Sequence, residues 1–190
     1  MSSRPRLLIA TSNPHKLAEL RLLLPGFDVD GFVAAGQPPE DGETYLDNAR
    51  IKARHLRTCA PADAWVAGED SGIEVAALDG RPGVASARWA DDGVAALLAA
   101  LDGRADRRAR YVSELVVIAP DGRELRGRGT LEGTVTDAPR GSEGFGYDPI
   151  VVPLGETLTV AELGDAWKNE HSHRALAARA VASQLAMRVP

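Results

Sequence analysis

The chain has 190 residues, of which 26% are charged, and its formal net charge is −5. This length suits one sizeable hydrophobic core, so we expect a single domain over residues 1–190. The negative balance argues against a broad nucleic-acid interface, which needs a basic face, but leaves room for a local basic pocket that binds a small anion.

Three sequence features predict a cytoplasmic protein without a membrane partner. The single cysteine, Cys59, has no second cysteine in the chain to pair with, which is typical of a reducing compartment. Arg4 and Arg6 precede an apolar run of only four residues, too short for a signal peptide. No stretch approaches the roughly 20 apolar residues that span a membrane.

The first half of the chain alternates predicted strands and helices. Asn13 is a good N-cap and Pro14 a good first helical residue, while Thr44 with Asp47 fits a capping box for a second helix. In chain order we predict a strand at 6–10, a helix from 14 that ends at Pro25-Gly26, a strand near 29–33 and a loop at 36–42. A helix after 44 follows, with Leu46, Ala49, Ala53 and Leu56 on one face. We then predict strands near 65–69 and 73–76, a loop at 81–89, and a helix at 93–101 capped by Asp91.

The second half contains a strong hairpin signal. Asp121-Gly122 separates two apolar, strand-like runs at 111–119 and 124–133. A hairpin means that the sheet is not purely parallel, so the class is α/β or α+β. The remaining predicted elements are a glycine- and proline-rich loop at 137–149, an extended segment at 150–153, a helix capped by Thr159 with Glu162, and a final alanine-rich helix from Ser172.

Two adjacent acids, Glu69 and Asp70, follow an apolar run at 65–67. The pattern predicts a buried strand that delivers both carboxylates into a turn, where Gly72 lets the chain reverse. Acids are rarely buried without a partner, and hard carboxylate oxygens suit Mg²⁺. A turn or helix-cap acid that backbone amides satisfy is the plainer interpretation of the same residues.

Residues 11–16 join the first strand to the first helix and combine hydroxyls, an N-cap and Lys16. Free N–H groups and a lysine at the positive end of a helix dipole are a natural phosphate site, although the P-loop pattern is absent. A plain helix cap with an exposed lysine is the alternative. Glu40 and Asp41 precede the second helix, and they are either a further metal ligand or an acidic loop at a helix N-terminus.

The segment 141–149 places Phe145 and Tyr147 among three glycines. The glycines permit close approach to a ligand, and aromatic rings can stack on a planar base; otherwise the loop is a turn with aromatics in the core. Lys168, His173 and Arg174 add cations near the start of the last helix, where an anionic or hydrogen-bonding partner is expected. The sequence contains no pattern typical of a zinc site, a serine hydrolase or a dinucleotide-binding fingerprint.

Taken together and in order, these segments resemble the inosine triphosphate pyrophosphatase family. The resemblance covers almost the whole chain. It is carried by Ala10-Thr11-Ser12-Asn13…Lys16, Glu40-Asp41-Gly42-Glu43-Thr44-Tyr45-Leu46-Asp47-Asn48-Ala49…Lys52-Ala53, Glu69-Asp70-Ser71-Gly72, Pro82-Gly83-Val84…Ser86-Ala87-Arg88, Gly144-Phe145-Gly146-Tyr147-Asp148-Pro149 and Ser172-His173-Arg174.

The resemblance implies an α/β fold with a long central mixed β-sheet flanked by helices, and two lobes with an active-site cleft between them. It also implies a homodimer and a Mg²⁺-dependent hydrolase that converts the noncanonical purine nucleotides ITP, dITP and XTP to the monophosphate and pyrophosphate, cleansing the nucleotide pool. By the same resemblance, Asp70 is the general base and a metal ligand, and Glu40 is the other metal ligand. The implied phosphate-binding residues are Thr11, Ser12, Asn13, Lys16 and Lys168, and the implied nucleotide and base contacts are Ser71, Phe145, Gly146, Tyr147, Asp148, His173 and Arg174.

Selectivity is expected at position 6 of the base, where hypoxanthine and xanthine carry a keto oxygen. A donor from Arg174 or His173 would pair with that oxygen and be left unpaired by adenine. The chain departs from the family at Glu69, where the usual residue is Asp, and at Asp41, where the family often has Thr.

Three other functions remain open from the residues. A related pyrophosphatase of the septum-associated Maf type would act on modified pyrimidine or canonical nucleotides. A nucleotide-binding sensor or protein partner that has lost turnover is supported only by the change at Glu69, and the presence of Asp70, Lys16 and Lys168 together counts against it. A phosphatase would remove only the γ-phosphate.

Overall fold

The structure is a computed structural model that describes residues 4–32, 38 and 40–186. Within this part the chain forms five α-helices and six β-strands. The helices are α1 (Pro14–Leu23), α2 (Tyr45–Cys59), α3 (Gly93–Ala100), α4 (Val160–His171) and α5 (His173–Ala186). The strands are β1 (Arg6–Ile9), β2 (Asp28–Gly31), β3 (Trp65–Val75), β4 (Arg108–Ile118), β5 (Glu124–Val135) and β6 (Val151–Pro153). Short 3₁₀ helices occupy Ala76–Leu78, Gly83–Arg88 and Asp148–Ile150.

The six strands form one mixed sheet in the order β2-β1-β3-β4-β5-β6. β1 runs parallel to both β2 and β3, whereas β5 and β6 are antiparallel. β4 and β5 are joined by the predicted tight turn, in which Gly122 has a φ of 84°. Such a short connection joins only antiparallel neighbours. The mixed sheet flanked by helices confirms the predicted α/β class.

The first of two compact units contains the described residues of Met1–Asp70, Ser113–Gly129 and Arg174–Pro190. Leu20 of α1 and Ala178 of α5 share an apolar cluster with Ala67 of β3. Ala53 of α2 shares a different cluster with Val66, the neighbour of Ala67 in β3. Because successive strand residues point to opposite faces, this unit has three layers, with α1 and α5 on one face of the sheet and α2 on the other.

Glycine lets α2 pack directly on the sheet. A Cβ at Gly68 of β3 would lie 2.2 Å from the Ala49 carbonyl oxygen in α2. A Cβ at Gly127 of β5 would lie 2.0 Å from the Ala177 carbonyl oxygen, where α5 packs on the opposite face. No side chain fits in either place, so both strand glycines are required by a close backbone approach.

The second unit contains Ser71–Val112 and Thr130–His173. Its core gathers Ile73 of β3, Leu97 of α3, Tyr111 of β4, Ile150 and Val160 of α4. α4 is interrupted at Gly164, whose φ is 80° and ψ is 178°. The Glu143 carboxylate accepts a hydrogen bond of 3.1 Å from the Asp165 amide, so it caps the helix where it restarts.

Three of the four predicted helix caps are confirmed. The Asn13 side chain accepts from the amides of His15 and Lys16. Capping boxes form between Thr44 and Asp47 and, in α4, between Thr159 and Glu162. The predicted cap Asp91 was wrong by one residue: Asp92 is extended, with a φ of −109°, and accepts from the Ala95 amide. The stretch 81–89, expected as a loop, contains a 3₁₀ helix.

The prediction that the chain turns after Glu69 and Asp70 was also wrong. β3 continues without interruption from Trp65 to Val75, so both acids and Ser71 lie within the strand. Gly72 is needed for a different reason, because a Cβ there would lie 2.4 Å from both the Gly83 carbonyl oxygen and Ser86 Oγ. The glycine accommodates a neighbouring segment rather than a chain reversal.

Some predictions fall outside the described residues or are not tested by the fold. Val33 of the predicted strand near 29–33, and Gly36, Gln37 and Pro39 of the predicted loop, lie outside the described residues. The single domain over 1–190 stays a prediction. No helix in the described part of the chain combines the length and apolar character needed to cross a membrane.

Candidate active site

The alternation of β3 gives its two acids different surroundings. Asp70 shares its side of the strand with Gly68, which faces α2. Glu69 shares its side with Ala67, which packs in the cluster formed by α1 and α5. Adjacent carboxylates therefore lie on opposite faces of the sheet and contact different helices.

Glu69 is the centre of a buried ion cluster, which we call the Glu69 cluster. Its Oε2 lies 2.8 Å from Lys16 Nζ of α1. Its Oε1 accepts hydrogen bonds from Arg174 of α5, at 3.0 Å from Nη2 and 3.2 Å from Nε, and from Ser113 of β4 at 2.9 Å. Glu19 of α1 holds the remaining terminal nitrogen of Arg174. Two carboxylates thus hold Arg174, and Glu69 ties together three elements.

The Glu69 side chain is only 1% exposed, yet it is surrounded by cationic partners. Burial by itself raises the pKa of the carboxyl, and the charges of Arg174 and Lys16 outweigh this and hold the pKa well below its ordinary value. The Glu19 and Glu69 carboxylates likewise outweigh the effect of burial and raise the pKa of Arg174. The mutual proximity of these groups therefore favours the charged form of each.

Asp70 contacts α2 in a second group, the Asp70 cluster. Its Oδ2 accepts a hydrogen bond of 3.1 Å from Asn48, and its Oδ1 lies 2.9 Å from Lys52 Nζ. Lys52 Nζ also lies 2.9 Å from Glu40 Oε1, so it connects the two acids that were predicted as metal ligands. Burial raises the pKa of Asp70, even though Lys52 and Asn48 oppose the shift.

Lys52 is the site residue that sequence reasoning missed. It was quoted in the resemblance without a role, and a signal for it was available in the composition. Of the 22 basic residues only three, Lys16, Lys52 and Lys168, are lysines, and each forms an ion pair with a buried or partly buried acid: Glu69, Asp70 and Asp148 in that order. A chain that otherwise uses arginine reserves the compact ammonium for these positions.

The Asp70 cluster also fits a divalent cation. Glu40 and Asp70 both bind one ammonium nitrogen at 2.9 Å, so their oxygens are separated by no more than twice that distance. In the described residues no group of three or more His, Cys, Asp and Glu side chains gathers as a metal site. Mg²⁺ needs no such group, because it is usually held by one or two carboxylates together with substrate phosphates and water.

The turn before α1 is arranged around Asn13. Thr11 Oγ1 accepts a hydrogen bond of 3.1 Å from the Asn13 amide, and Ser12 is exposed beside it. The Asn13 side-chain oxygen already satisfies the amides of His15 and Lys16. The helix cap is therefore confirmed, and the Lys16 ammonium is directed at Glu69. The phosphate site at this turn stays a prediction.

In the second unit, Asp148 organises the glycine-rich loop, and we call this group the Asp148 cluster. Asp148 Oδ2 lies 2.8 Å from Lys168 Nζ and accepts a hydrogen bond of 2.9 Å from the Phe145 amide. Tyr111 donates to the other carboxylate oxygen at 3.3 Å. Gly144 has a φ of 76°, and a Cβ there would lie 2.2 Å from Asp148 Oδ2. The loop closes on its own carboxylate and holds Lys168 in place.

The two aromatic residues of this loop differ in accessibility. Lys168 Nζ lies 4.7 Å from the ring centroid of Phe145, which is half-buried. Tyr147 is 8% exposed, packs in the core of its unit and donates its hydroxyl to the Ser86 carbonyl oxygen at 3.0 Å. Burial raises the pKa of Tyr147. Phe145 is thus the more accessible of the two rings, and Tyr147 fixes the loop that carries it.

The remaining predicted residues, His173, Ser71 and Gly146, lie in the second unit. His173 opens α5 and stacks on Tyr111, with ring centroids 4.8 Å apart and an interplanar angle of 11°. Ser71 is half-buried in β3, and Gly146 is exposed with a φ of 61°. Within single units the structure brings together Lys16 with Arg174, Glu40 with Asp70, and Phe145 with Asp148 and Lys168.

The fold and these clusters define an α/β protein whose carboxylate and lysine groups suit a phosphorylated ligand and a divalent cation. Comparison with known proteins identifies the family: the sequence profile described as the Ham1 family matches residues 7–184, and the chain belongs to this family. The family resemblance seen in the motifs is thereby confirmed.

Named relatives and solved structures agree with this assignment. The chain is 43% identical to a dITP/XTP pyrophosphatase of Bdellovibrio bacteriovorus, over 94% of this chain and 96% of that protein. It is 47% identical to a dITP/XTP pyrophosphatase of Symbiobacterium thermophilum, over 92% of each. The Staphylococcus aureus Ham1 protein matches with a TM-score of 0.84 and 30% identity, over 97% of this chain and 100% of the other.

Proposed function

We propose that the protein is a Mg²⁺-dependent pyrophosphatase that hydrolyses the noncanonical purine nucleotides dITP, XTP and ITP to the monophosphate and pyrophosphate. The names of relatives that are 43% and 47% identical over nearly the whole chain support the reaction and the substrates. The observation that carries the proposal is the Asp70 cluster, which places a carboxylate with a raised pKa beside a second acid and a lysine.

Asp70 has the properties of a general base for this reaction. Hydrolysis needs a water that attacks the α-phosphorus while the bond to the pyrophosphate oxygen breaks. A carboxylate whose pKa is raised by burial takes up the water proton more readily than an ordinary Asp does. The hydrogen bond from Asn48 fixes the orientation of the carboxyl group.

The phosphate chain needs fixed positive charge. Lys16 and Lys168, each held by a carboxylate at 2.8 Å, are the residues that would bind the β- and γ-phosphates. Thr11, Ser12 and Asn13 would add hydroxyl and backbone contacts at the start of α1. Mg²⁺ held by Glu40 and Asp70 would neutralise charge on the phosphates as the pyrophosphate leaves.

The base would be held by the residues of the Asp148 cluster. Phe145 offers a ring face for stacking, while Tyr147, Gly146 and Asp148 shape the loop around it. A donor from His173 or Arg174 would recognise the 6-keto oxygen, and Ser71 would contact the nucleotide next to Asp70. Because two carboxylates hold Arg174, its contact with a base requires that one of these interactions be exchanged.

The assembly and location of the protein are part of the same proposal. A homodimer is supported by the family resemblance, and light scattering of the purified chain tests it. A cytoplasmic location is supported by the single cysteine, Cys59, and fractionation of cells that express the chain tests it.

The test measures hydrolysis of dITP, XTP, ITP, ATP, GTP and TTP, with and without Mg²⁺, and assays pyrophosphate and orthophosphate separately. We expect Mg²⁺-dependent pyrophosphate release confined to the first three substrates. Asp70→Asn is expected to lose about 10²- to 10⁴-fold in turnover. The matched control is Asp63→Asn, an exposed acid-to-amide change in the same unit. Orthophosphate release, or a preference for pyrimidine or canonical nucleotides, would reject the proposal.

A further inference from the structure

Glu69 is a fully buried acid next to the proposed base, and the reaction described above gives it no part. We propose that Glu69 is a positioning residue that fixes the Lys16 ammonium for the phosphate chain, and that it is not a ligand of the divalent cation. This inference rests on the proposed function. It assigns a role to the residue at which the chain departs from the Asp usual in the family.

The separation of the two acids by the sheet is the first argument. The proposed cation ligands, Glu40 and Asp70, share Lys52 on the α2 face. Glu69 contacts α1 and α5 on the other face. Side chains that leave a strand in opposite directions do not converge on one small ion. The adjacency of Glu69 and Asp70 in the sequence therefore does not make a paired metal site.

The occupancy of the Glu69 carboxylate is the second argument. Oε1 accepts from Arg174 and Ser113, and Oε2 faces Lys16 at 2.8 Å. Both oxygens are thus committed to cationic or hydroxyl partners, and a divalent cation at either would face the positive charges of Arg174 and Lys16. The positive charges of Arg174 and Lys16 therefore favour Glu69 as an anchor for these two side chains and oppose the binding of a divalent cation beside it.

The position of Lys16 is the third argument. Its side chain is 18% exposed, and one side of its ammonium is tied to Glu69. A lysine side chain has a flexible four-carbon stem. Fixing its ammonium group in advance lowers the conformational entropy that is lost when a phosphate binds. Arg174 and Ser113 in turn hold the carboxylate that performs this fixing.

A double-mutant cycle tests the coupling without relying on turnover. The variants are Glu69→Gln, Lys16→Met and the pair combined, and the probe is inorganic pyrophosphate, with its Kd measured by calorimetry in EDTA. We expect each single variant to weaken binding by about tenfold or more, and the double variant to bind no more weakly than Lys16→Met. Multiplying losses would overturn the proposal, because Glu69 would then act independently of Lys16.

Metal binding is the second readout. Mn²⁺ titrations followed by electron paramagnetic resonance, without nucleotide, are expected to give the same Kd for Glu69→Gln and wild type within about twofold, whereas Asp70→Asn binds Mn²⁺ more weakly. A tenfold loss in Glu69→Gln would identify Glu69 as a cation ligand and overturn the proposal. In steady-state assays with ITP, the expected effect of Glu69→Gln is a raised KM with a smaller change in kcat.

A conservative variant covers the case in which Glu69→Gln does not fold. Glu69→Asp keeps the charge and is one methylene shorter; it is expected to weaken pyrophosphate binding in the wild-type background and not in Lys16→Met. Equal losses in both backgrounds would reject the coupling. If the wild-type protein binds pyrophosphate but does not release it from ITP, the proposed function fails, and the cycle still reports on Glu69 and Lys16.

Discussion

At the scale of single residues, Glu69 and Asp70 show how position overrides residue type. Both are buried acids in one strand, and burial raises the pKa of each. Glu69 meets two cations, and its pKa is well below the ordinary value; Asp70 meets one lysine that it shares with Glu40, and its pKa stays raised. The first is suited to hold charge permanently and the second to exchange a proton.

The charged Asp70 side chain is expected to lower the stability of the folded state at neutral pH, in addition to its proposed role as general base. Its folded pKa lies above the unfolded value of 3.8, so the native state binds the proton more tightly, and folding becomes more favourable as pH falls through the folded pKa. Asp70→Asn should therefore raise Tm at pH 7 by a few degrees while turnover is lost. Calorimetric scans should show the gain shrinking as pH falls towards 4. A lower Tm at pH 7 would contradict this account.

Glu69→Gln is expected to have the opposite effect on stability. Its folded pKa is depressed, so its contribution is present above the unfolded pKa of 4.5 and is lost as pH falls through the folded value. Removing the charge leaves Arg174 buried beside one carboxylate fewer, which should cost about 3–5 kcal/mol at pH 7. Urea titrations measure this, and the deficit should diminish in acid. A neutral substitution at pH 7 would show that the cluster does not stabilise the fold.

The third prediction at the residue scale concerns Lys52. Lys52→Met leaves Glu40 and Asp70 without their shared cation, so the resting site should bind Mn²⁺ about tenfold more tightly, since one repelling charge is gone. Turnover should fall, because the two acids lose the group that orients them. Arg54→Met, on the exposed side of the same helix, is the control and should change neither quantity. Weaker Mn²⁺ binding in Lys52→Met would refute this explanation.

At the scale of elements, the contact of α2 with β3 sets the Asp70 cluster. Asn48 and Lys52 reach Asp70 because the helix backbone lies directly on Gly68, where a Cβ would approach the Ala49 carbonyl oxygen to 2.2 Å. Capping by Thr44 and Asp47 fixes where the helix begins, and hence which of its residues face the strand.

Gly68→Ala is therefore expected to damage both stability and site. The added methyl must push α2 away from β3, which should cost at least about 1–3 kcal/mol and should displace Lys52 from Asp70. Gly26→Ala is the matched control, since nothing lies within 4 Å of a Cβ at that position. Chemical denaturation and ITP turnover are the measurements. Equal stability of the two variants would show that the helix is not packed as described.

At the scale of the whole molecule, the distribution of lysine distinguishes the site from the rest of the protein. The chain has 19 arginines and three lysines, and the lysines all belong to the three clusters. Their side chains are 18%, 11% and 3% exposed for Lys16, Lys52 and Lys168. An amine-directed reagent is thus confined to these residues and the terminal amine.

Acetylation should consequently inactivate the protein with few modifications. Peptide mass spectrometry is expected to show Lys16 reacting before Lys52 and Lys168, in the order of their exposure, and pyrophosphate should protect Lys16. Inactivation that follows modification of the terminal amine alone would contradict the placement of the lysines. Lys16→Arg, which resists the reagent, is the control for the first step.

Local signals in the sequence were sufficient for the helix starts, the hairpin and the α/β class, because caps, Asp121-Gly122 and apolar periodicity act over a few residues. Through the family motifs they also led to the predicted roles of Glu40, Asp70, Lys16 and Lys168, but they gave Lys52 no role. They failed at Gly72, which looked like a turn, because a glycine required by a neighbouring segment has the same local pattern as a glycine required by φ.

Only the tertiary structure decided which charges meet. The sequence by itself determined that Glu69 and Asp70 are adjacent and follow an apolar run. That they lie within one continuous strand, and so point to opposite faces of the sheet, was decided by the tertiary structure. Lys16, Lys52 and Arg174 lie between 12 and 155 residues from the acids they bind, so packing of helices on the two faces brings them there. Pairing over such distances depends on the whole fold, which short-range patterns do not encode.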